Sequence, residues 1–179
     1  SLLERMLLSL LQSDDLGVAR LLEEVRALDR RACEELASEL LTRAEQQPLN
    51  AAGRRAFARF VDVFVEVLGP QCCSAGATRV LLSAVREARG HEELLVAAEV
   101  LATVLMDNTS AWDAFWEAAA ERRVAADASL TAVLQQLMER APELAATNLT
   151  KRISGGAKEP EKCAAALELL SAVGSREDV

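Results

Sequence analysis

The sequence has no tyrosine, and His91 is its single histidine among 179 residues. Side chains that exchange a proton near neutral pH are therefore almost missing, which disfavours acid–base catalysis as the work of this chain. Proline and glycine are also sparse, with four and eight copies, and most of them fall between stretches of regular apolar periodicity. Helix interiors exclude both residues, so this distribution points to an all-α protein. Lys and Arg number 20 against 28 Asp and Glu, a net charge of −8. Such a chain repels a polyanion at long range, which argues against DNA as a partner. The longest apolar run, Leu94 to Met106, carries Glu99 and is too short to cross a bilayer, so no membrane is expected either. No secretory signal pattern is visible, and four cysteines without a disulfide-like framework fit reduced thiols in a cytoplasmic or nuclear protein. Whether Ser1 opens a whole protein or a piece of a longer one is left open.

What the sequence does have is helical periodicity, repeated about ten times. Leu3, Leu7, Leu10 and Leu11 share one face of a first segment from Leu2 to Gln12, and Asp14 and Asp15 then offer an N-cap carboxylate. Val18, Leu21, Leu22 and Val25 mark the second. The third, from Asp29, carries Cys33, Ala37, Leu40 and Leu41 and stops before Pro48. Asn50 opens a fourth segment whose stripe of Phe57, Phe60, Val61 and Phe64 is widened by Val63 and Val65. A helix that is apolar nearly all round is packed on several sides. The fifth runs from Ser74 and is expected to end on Gly90 as a C′ residue. The sixth, about Glu92 to Met106, is the most hydrophobic, and with the fourth it is placed at the centre.

Thr109 or Ser110 is expected to cap a seventh helix reaching Arg123, and Asp127 to start an eighth with Leu130, Val133, Leu134 and Leu137 inward. Pro142 begins a ninth, to about Ile153. Residues 1–153 thus form the core, Ser154 to Pro160 reads as a linker or loop, and 161–174 is a last helix packing on the same domain. Gly174 is expected to stop that helix, leaving residues 175–179 as a tail. Taken in antiparallel pairs, the helices recur roughly every 30 to 40 residues, the spacing of helical-repeat families. The expected architecture is an all-α, right-handed superhelical stack, an α-solenoid of about ten helices.

Few motifs carry chemistry. His91 lies beside Glu92 and Glu93, but no second histidine could join it on a metal, so no metal, cofactor or catalytic residue is assigned. Cys72 and Cys73 are adjacent in a loop, where Arg79 is the nearest group that could lower a thiol pKa. Asn108-Thr109-Ser110 and Asn148-Leu149-Thr150 match the glycosylation sequon. Trp112, Phe115 and Trp116 form the sharpest local feature. The two tryptophans are four residues apart and project from one face. Filling a gap between the sixth and eighth helices is the favoured role, and anchoring a partner helix or peptide in a groove is the functional alternative. Arg54, Arg55, Arg59, Arg122 and Arg123 are the candidate contacts for RNA or an acidic partner, although basic pairs are more often solvated helix faces.

Two families share features with this pattern. In Glu93 to Ala114 a Leu- and Ala-rich run passes into the polar turn Asp107-Asn108, which resembles the long buried third helix of an armadillo repeat and its exit. The glycine-rich opening of such repeats is absent, and a HEAT-type or irregular solenoid fits equally. The segments Leu21 to Asp29, Leu40 to Leu49 and Arg54 to Phe60 are similar to the opening hairpins of the middle domain of translation initiation factor 4 gamma, a HEAT-like stack. The resemblances imply an interaction scaffold, in the second case one that holds RNA helicase partners and sometimes RNA. The expected function is a non-catalytic protein–protein interaction scaffold or adaptor; the alternative is an adaptor in mRNA translation or processing that binds protein and possibly RNA.

Overall fold

The computed structural model describes residues 1–12, 14–121 and 128–177, the side chains of residues 128 and 174–177 excepted. They form ten α-helices: α1 (Leu2–Ser9), α2 (Asp15–Arg26), α3 (Arg30–Glu45), α4 (Ala51–Leu68), α5 (Ala75–Arg86), α6 (His91–Leu105), α7 (Thr109–Glu121), α8 (Ala128–Arg140), α9 (Pro142–Ser154) and α10 (Pro160–Glu177). A short 3-10 turn, Pro70–Cys72, links α4 to α5, and no strand occurs among the described residues.

The helices begin where a side chain can satisfy the first free N–H groups. Ser1 and Glu4 form a capping box on α1, and Asp14, Asp29, Asn50 and Ser74 accept from the backbone N–H three residues on. At α7 the cap is Asn108 rather than Thr109 or Ser110: its Oδ1 accepts from Ala111 N at 3.1 Å, while its Nδ2 donates to the carbonyls of Pro70 at 3.0 Å and Cys73 at 2.7 Å. Those two carbonyls lie more than thirty positions away, so nothing local could select this residue over its neighbours.

Two glycines expected to end helices do not. Gly90 does not close α5, which ends at Arg86; it stands extended at φ −155° as the N-cap of α6. Gly174 does not close α10, which continues to Glu177. Glycine weakens a helix interior by only about 1 kcal/mol, so a continuing helix tolerates it. Gly69 is the residue whose geometry demands glycine: at φ 94° it turns the chain out of α4 and into Pro70. The expected linker is reduced to a turn over 155–159, after which α10 packs on α7, α8 and α9.

Packing sorts the helices by parity. Contacts run α2 to α4 to α6 to α8, and α1 to α3 to α5 to α7, with hairpin partners such as α3 and α4 or α5 and α6 closing the two rows on each other. The last pair changes places: α9 lies against α8, and α10 returns to α7. Several polar ties between neighbouring helices of a row, and one between the turns that follow them, span similar sequence intervals. Arg55 reaches Glu93 and Arg79 reaches Glu117 at a separation of 38, Gln71 reaches Asp107 at 36, and Arg140 reaches Thr103 at 37.

The core runs through both rows. Phe57, Phe60 and Phe64 of α4, Leu101 and Leu105 of α6 and Leu81 of α5 are essentially inaccessible. At the start of the chain Met6 and Leu10 are enclosed, while Leu8, Leu11 and Leu16 stay exposed. Where α1 ends, the backbone passes close to α4: a Cβ on Gly53 would stand 2.1 Å from the carbonyl oxygen of Leu10. Alanine favours a helix over glycine by about 1 kcal/mol, but forcing a methyl against a fixed backbone costs about 1–3 kcal/mol. Gly53→Ala is therefore expected to lower stability, read as a reduced urea midpoint. A midpoint raised by the substitution would mean that α1 does not approach α4 this closely.

Candidate functional site

Two depressions bring together the residues of interest. The first is an open groove of about 470 Å³ where the start of α4, the end of α5 and the start of α6 meet. Ala51 and Ala58 from α4, Ala84 from α5, and Val96 and Ala97 from α6 supply its apolar lining. Small side chains leave the space, and Val96, 49% exposed, faces solvent without covering it. Charged pairs stand along the groove. Arg54, half-buried, donates to the carbonyl of Leu49 and pairs with Glu87, and Arg55 pairs with Glu93 at 3.3 Å. The carboxylate of Glu93 also accepts from the backbone N–H of Arg89 at 3.0 Å.

Two of the five candidate nucleic-acid contacts are therefore engaged by carboxylates. Arg54 and Arg55 face glutamates, and Arg59 alone of the three has no carboxylate partner among the described residues. Arg122 and Arg123 lie outside the described residues. Along the outer stripe of α4, Arg55 and Arg59 give way to Asp62 and Glu66, and Glu66 meets Arg26 of α2 at 3.7 Å. Partial burial, with Glu66 and Glu99 nearby, pushes the Asp62 carboxyl up despite the opposing pull of Arg26.

The aromatic cluster is interior. Trp112, Phe115 and Trp116 are 6%, 0% and 1% exposed, so they do not stand on the surface as an anchor for a partner helix. The two indoles stack with centroids 5.8 Å apart at 23°, and Phe115 meets both edge-on at 5.7 and 5.2 Å. Trp112 and Trp116 border the second depression, a cavity of about 510 Å³ shared with α9 and the α9–α10 turn. Arg152 of α9 sits over the Trp116 ring at 5.9 Å, a cation–π contact.

His91 is exposed as the first residue of α6, and among the described residues no three His, Cys, Asp or Glu side chains are placed to hold a metal ion. Burial pushes the Cys72 thiol up to about 11 and the Cys73 thiol up to about 12. Arg79 does not counter this, because it pairs with Glu117 at 3.4 Å. A thiol held protonated is a poor nucleophile.

One feature was hidden in the sequence. Ser74 Oγ donates to Glu45, whose carboxylate from the end of α3 lies where a Cβ on Gly76 would sit, in the first turn of α5. A negative charge there is favoured by the helix dipole. The partners are 29 residues apart, and no local pattern signals them. No protein-family profile, no curated protein and no solved structure matches the chain.

Removing the Trp116 indole should cost about 3–5 kcal/mol, as deletion of a buried large aromatic does. A thermal melt of Trp116→Ala that matches the parent would place that ring on the surface instead. The cysteines give a pH dependence. A thiol whose pKa is raised by folding contributes stability that is complete below the unfolded value near 9 and lost as pH rises towards the folded value, about 12 for Cys73. Unfolding free energy is expected to fall between pH 9 and 12, and Cys73→Ala should flatten that fall; equal slopes in the two proteins would contradict the assignment.

Proposed function

We propose that this chain is a non-catalytic protein-interaction scaffold of HEAT or armadillo type, a right-handed superhelical stack that takes a helix or peptide of a protein partner in the groove between α4, α5 and α6. The observation that carries this reading is the groove itself. It is apolar within, open to solvent, and accompanied by Arg54–Glu87 and Arg55–Glu93. An amphipathic helix presents the matching surface, an apolar stripe for the alanine-lined space and charges for the flanking pairs. The two-row packing supports the stack, because each hairpin covers the next and the surface extends along the row. Cytoplasm or nucleus is the compartment that fits four cysteines with no disulfide among them.

The adaptor in mRNA translation or processing is the weaker reading here. Two of its three described arginines are matched by glutamates, and acidic residues continue the stripe on which Arg59 lies. Phosphate contacts rely on cations free to displace counterions.

The test uses the whole chain as bait in a matched lysate, with and without nuclease, beside a Val96→Asp variant. Val96 is half exposed, so the charge reaches the groove without entering the core. A discrete protein that survives nuclease and falls about ten-fold in recovery with Val96→Asp is expected, the size of effect for a buried contact at an interface centre. Recovery lost with nuclease would favour the RNA-linked adaptor. Proteins retained equally by both baits would sink the groove as the docking site.

A further inference from the structure

The cavity behind Trp112 and Trp116 has a charge arrangement that the scaffold reading does not use. It is bounded by the α6–α7 turn, the start of α7, the end of α9 and the start of α10. Four cations line it, Lys151, Arg152, Lys158 and Lys162, together with three carboxylates, Asp107, Asp113 and Glu159. We infer that this cavity binds a small phosphorylated molecule, with Lys151 and Lys158 as the groups that meet its phosphoryl charge.

The carboxylates divide the cations into two kinds. Glu159 bonds Arg152 and also Lys162, the latter at 2.7 Å, and Asp113 stands 3.8 Å from Arg152. The Lys162 hydrogen bond, with Arg152 beside it, holds the Glu159 carboxyl below its usual range. Asp107 accepts from Gln71 at 3.4 Å, outside this set. Arg152 and Lys162 are thereby fixed in place, and Lys151 and Lys158 have no carboxylate partner among the described residues. In a chain of net charge −8, these two unmatched ammonium groups stand on the edge of one cavity.

Helix physics explains only part of this. Lys151, in the last turn of α9, complements the negative end of that helix. Lys162 lies in the first turn of α10 and Lys158 just before it, where the helix dipole disfavours a cation. The start of α7 adds the positive end of a 13-residue helix and the Thr109 hydroxyl on the same cavity. A phosphate monoester carries up to two negative charges near neutral pH and several acceptor oxygens, which suits two ammonium groups and a hydroxyl. The volume, about 510 Å³, lies in the range of small-molecule pockets.

The chain reports on this cavity by itself, since its only two tryptophans, Trp112 and Trp116, both border it. The full chain is titrated with inorganic phosphate in one arm and glucose 6-phosphate in the other, against potassium chloride at matched ionic strength. Calorimetry on the same samples covers binding that leaves the indoles unchanged. A saturable response beyond the chloride control is expected, weakened about ten-fold for each lysine removed in Lys151→Ala and Lys158→Ala, as loss of a charge-assisted hydrogen bond implies. Both lysines are exposed, so their removal leaves the core intact. Equal affinity in the two arms assigns the site to the phosphoryl group alone, and tighter binding of the ester adds contacts to its organic part; both support the inference. No saturable response by either method, or a response that the double lysine variant retains in full, overturns it.

Discussion

Phe57, Phe60 and Phe64 are each wholly enclosed on α4 with Val61 in the same stripe, and Val63 and Val65 on its other sides are buried with them. No single neighbour can cover a helix on that many sides. Here α2 and α6 flank it in one row, while α3 and α5 close it from the other. Each phenylalanine withdrawn from water contributes about 1.5–3 kcal/mol, so leaving α4 at an edge would forfeit a large share of a domain's net stability. The order of the two rows follows from that requirement. Once α4 is surrounded, α6 inherits a similar position, with α4 behind it and α8 ahead, and its small residues Ala98 and Ala102 let the neighbours approach.

Charge then fixes relative position where apolar packing is tolerant of sliding. Arg55–Glu93, Arg79–Glu117 and Arg140–Thr103 each tie a helix to the next in its row at nearly the same sequence interval. As exposed contacts they add little energy singly. Their value is in register: a shift of one turn would separate all of them together. The groove between α4 and α6 is held open in the same manner, since Arg54 and Arg55 are drawn towards Glu87 and Glu93 and leave the alanine-lined space between the helices unfilled.

Local chemistry made most helix starts and the central place of α4 legible beforehand. Asp14, Asn50 and Ser74 cap where a short polar side chain precedes an apolar stripe, and the all-round apolar character of α4 is written in its valines. What escaped was decided at a distance. Gly90 looks equally suited to ending one helix or opening the next, and only its extended backbone settles the matter. Asn108 prevails over Thr109 because two distant carbonyls hold its amide. The tryptophans were recognised as a unit, but the wall they face depends on α10 crossing back to α7, a change of row that no periodicity encodes. Lys158 and Lys162 reach the same cavity only through that crossing.

The Asn108 amide has a chemical consequence. In an Asn-X-Thr/Ser sequon the side-chain nitrogen is the atom to which a sugar is attached. Here its hydrogens are directed at the Pro70 and Cys73 carbonyls while its oxygen holds the first turn of α7. The second sequon is similarly engaged, with Asn148 Nδ2 donating to the Leu144 carbonyl at 3.0 Å within α9. A glycan at position 108 would take the place of one of the two Asn108 amide hydrogens. A chain modified there before folding would keep one N–H on that nitrogen, and so would lose one of the two hydrogen bonds to the α4–α5 connection, about 1 kcal/mol, and strain a helix cap of similar worth. Folding engages both hydrogens of this amide, and glycosyl transfer would compete with one of those contacts.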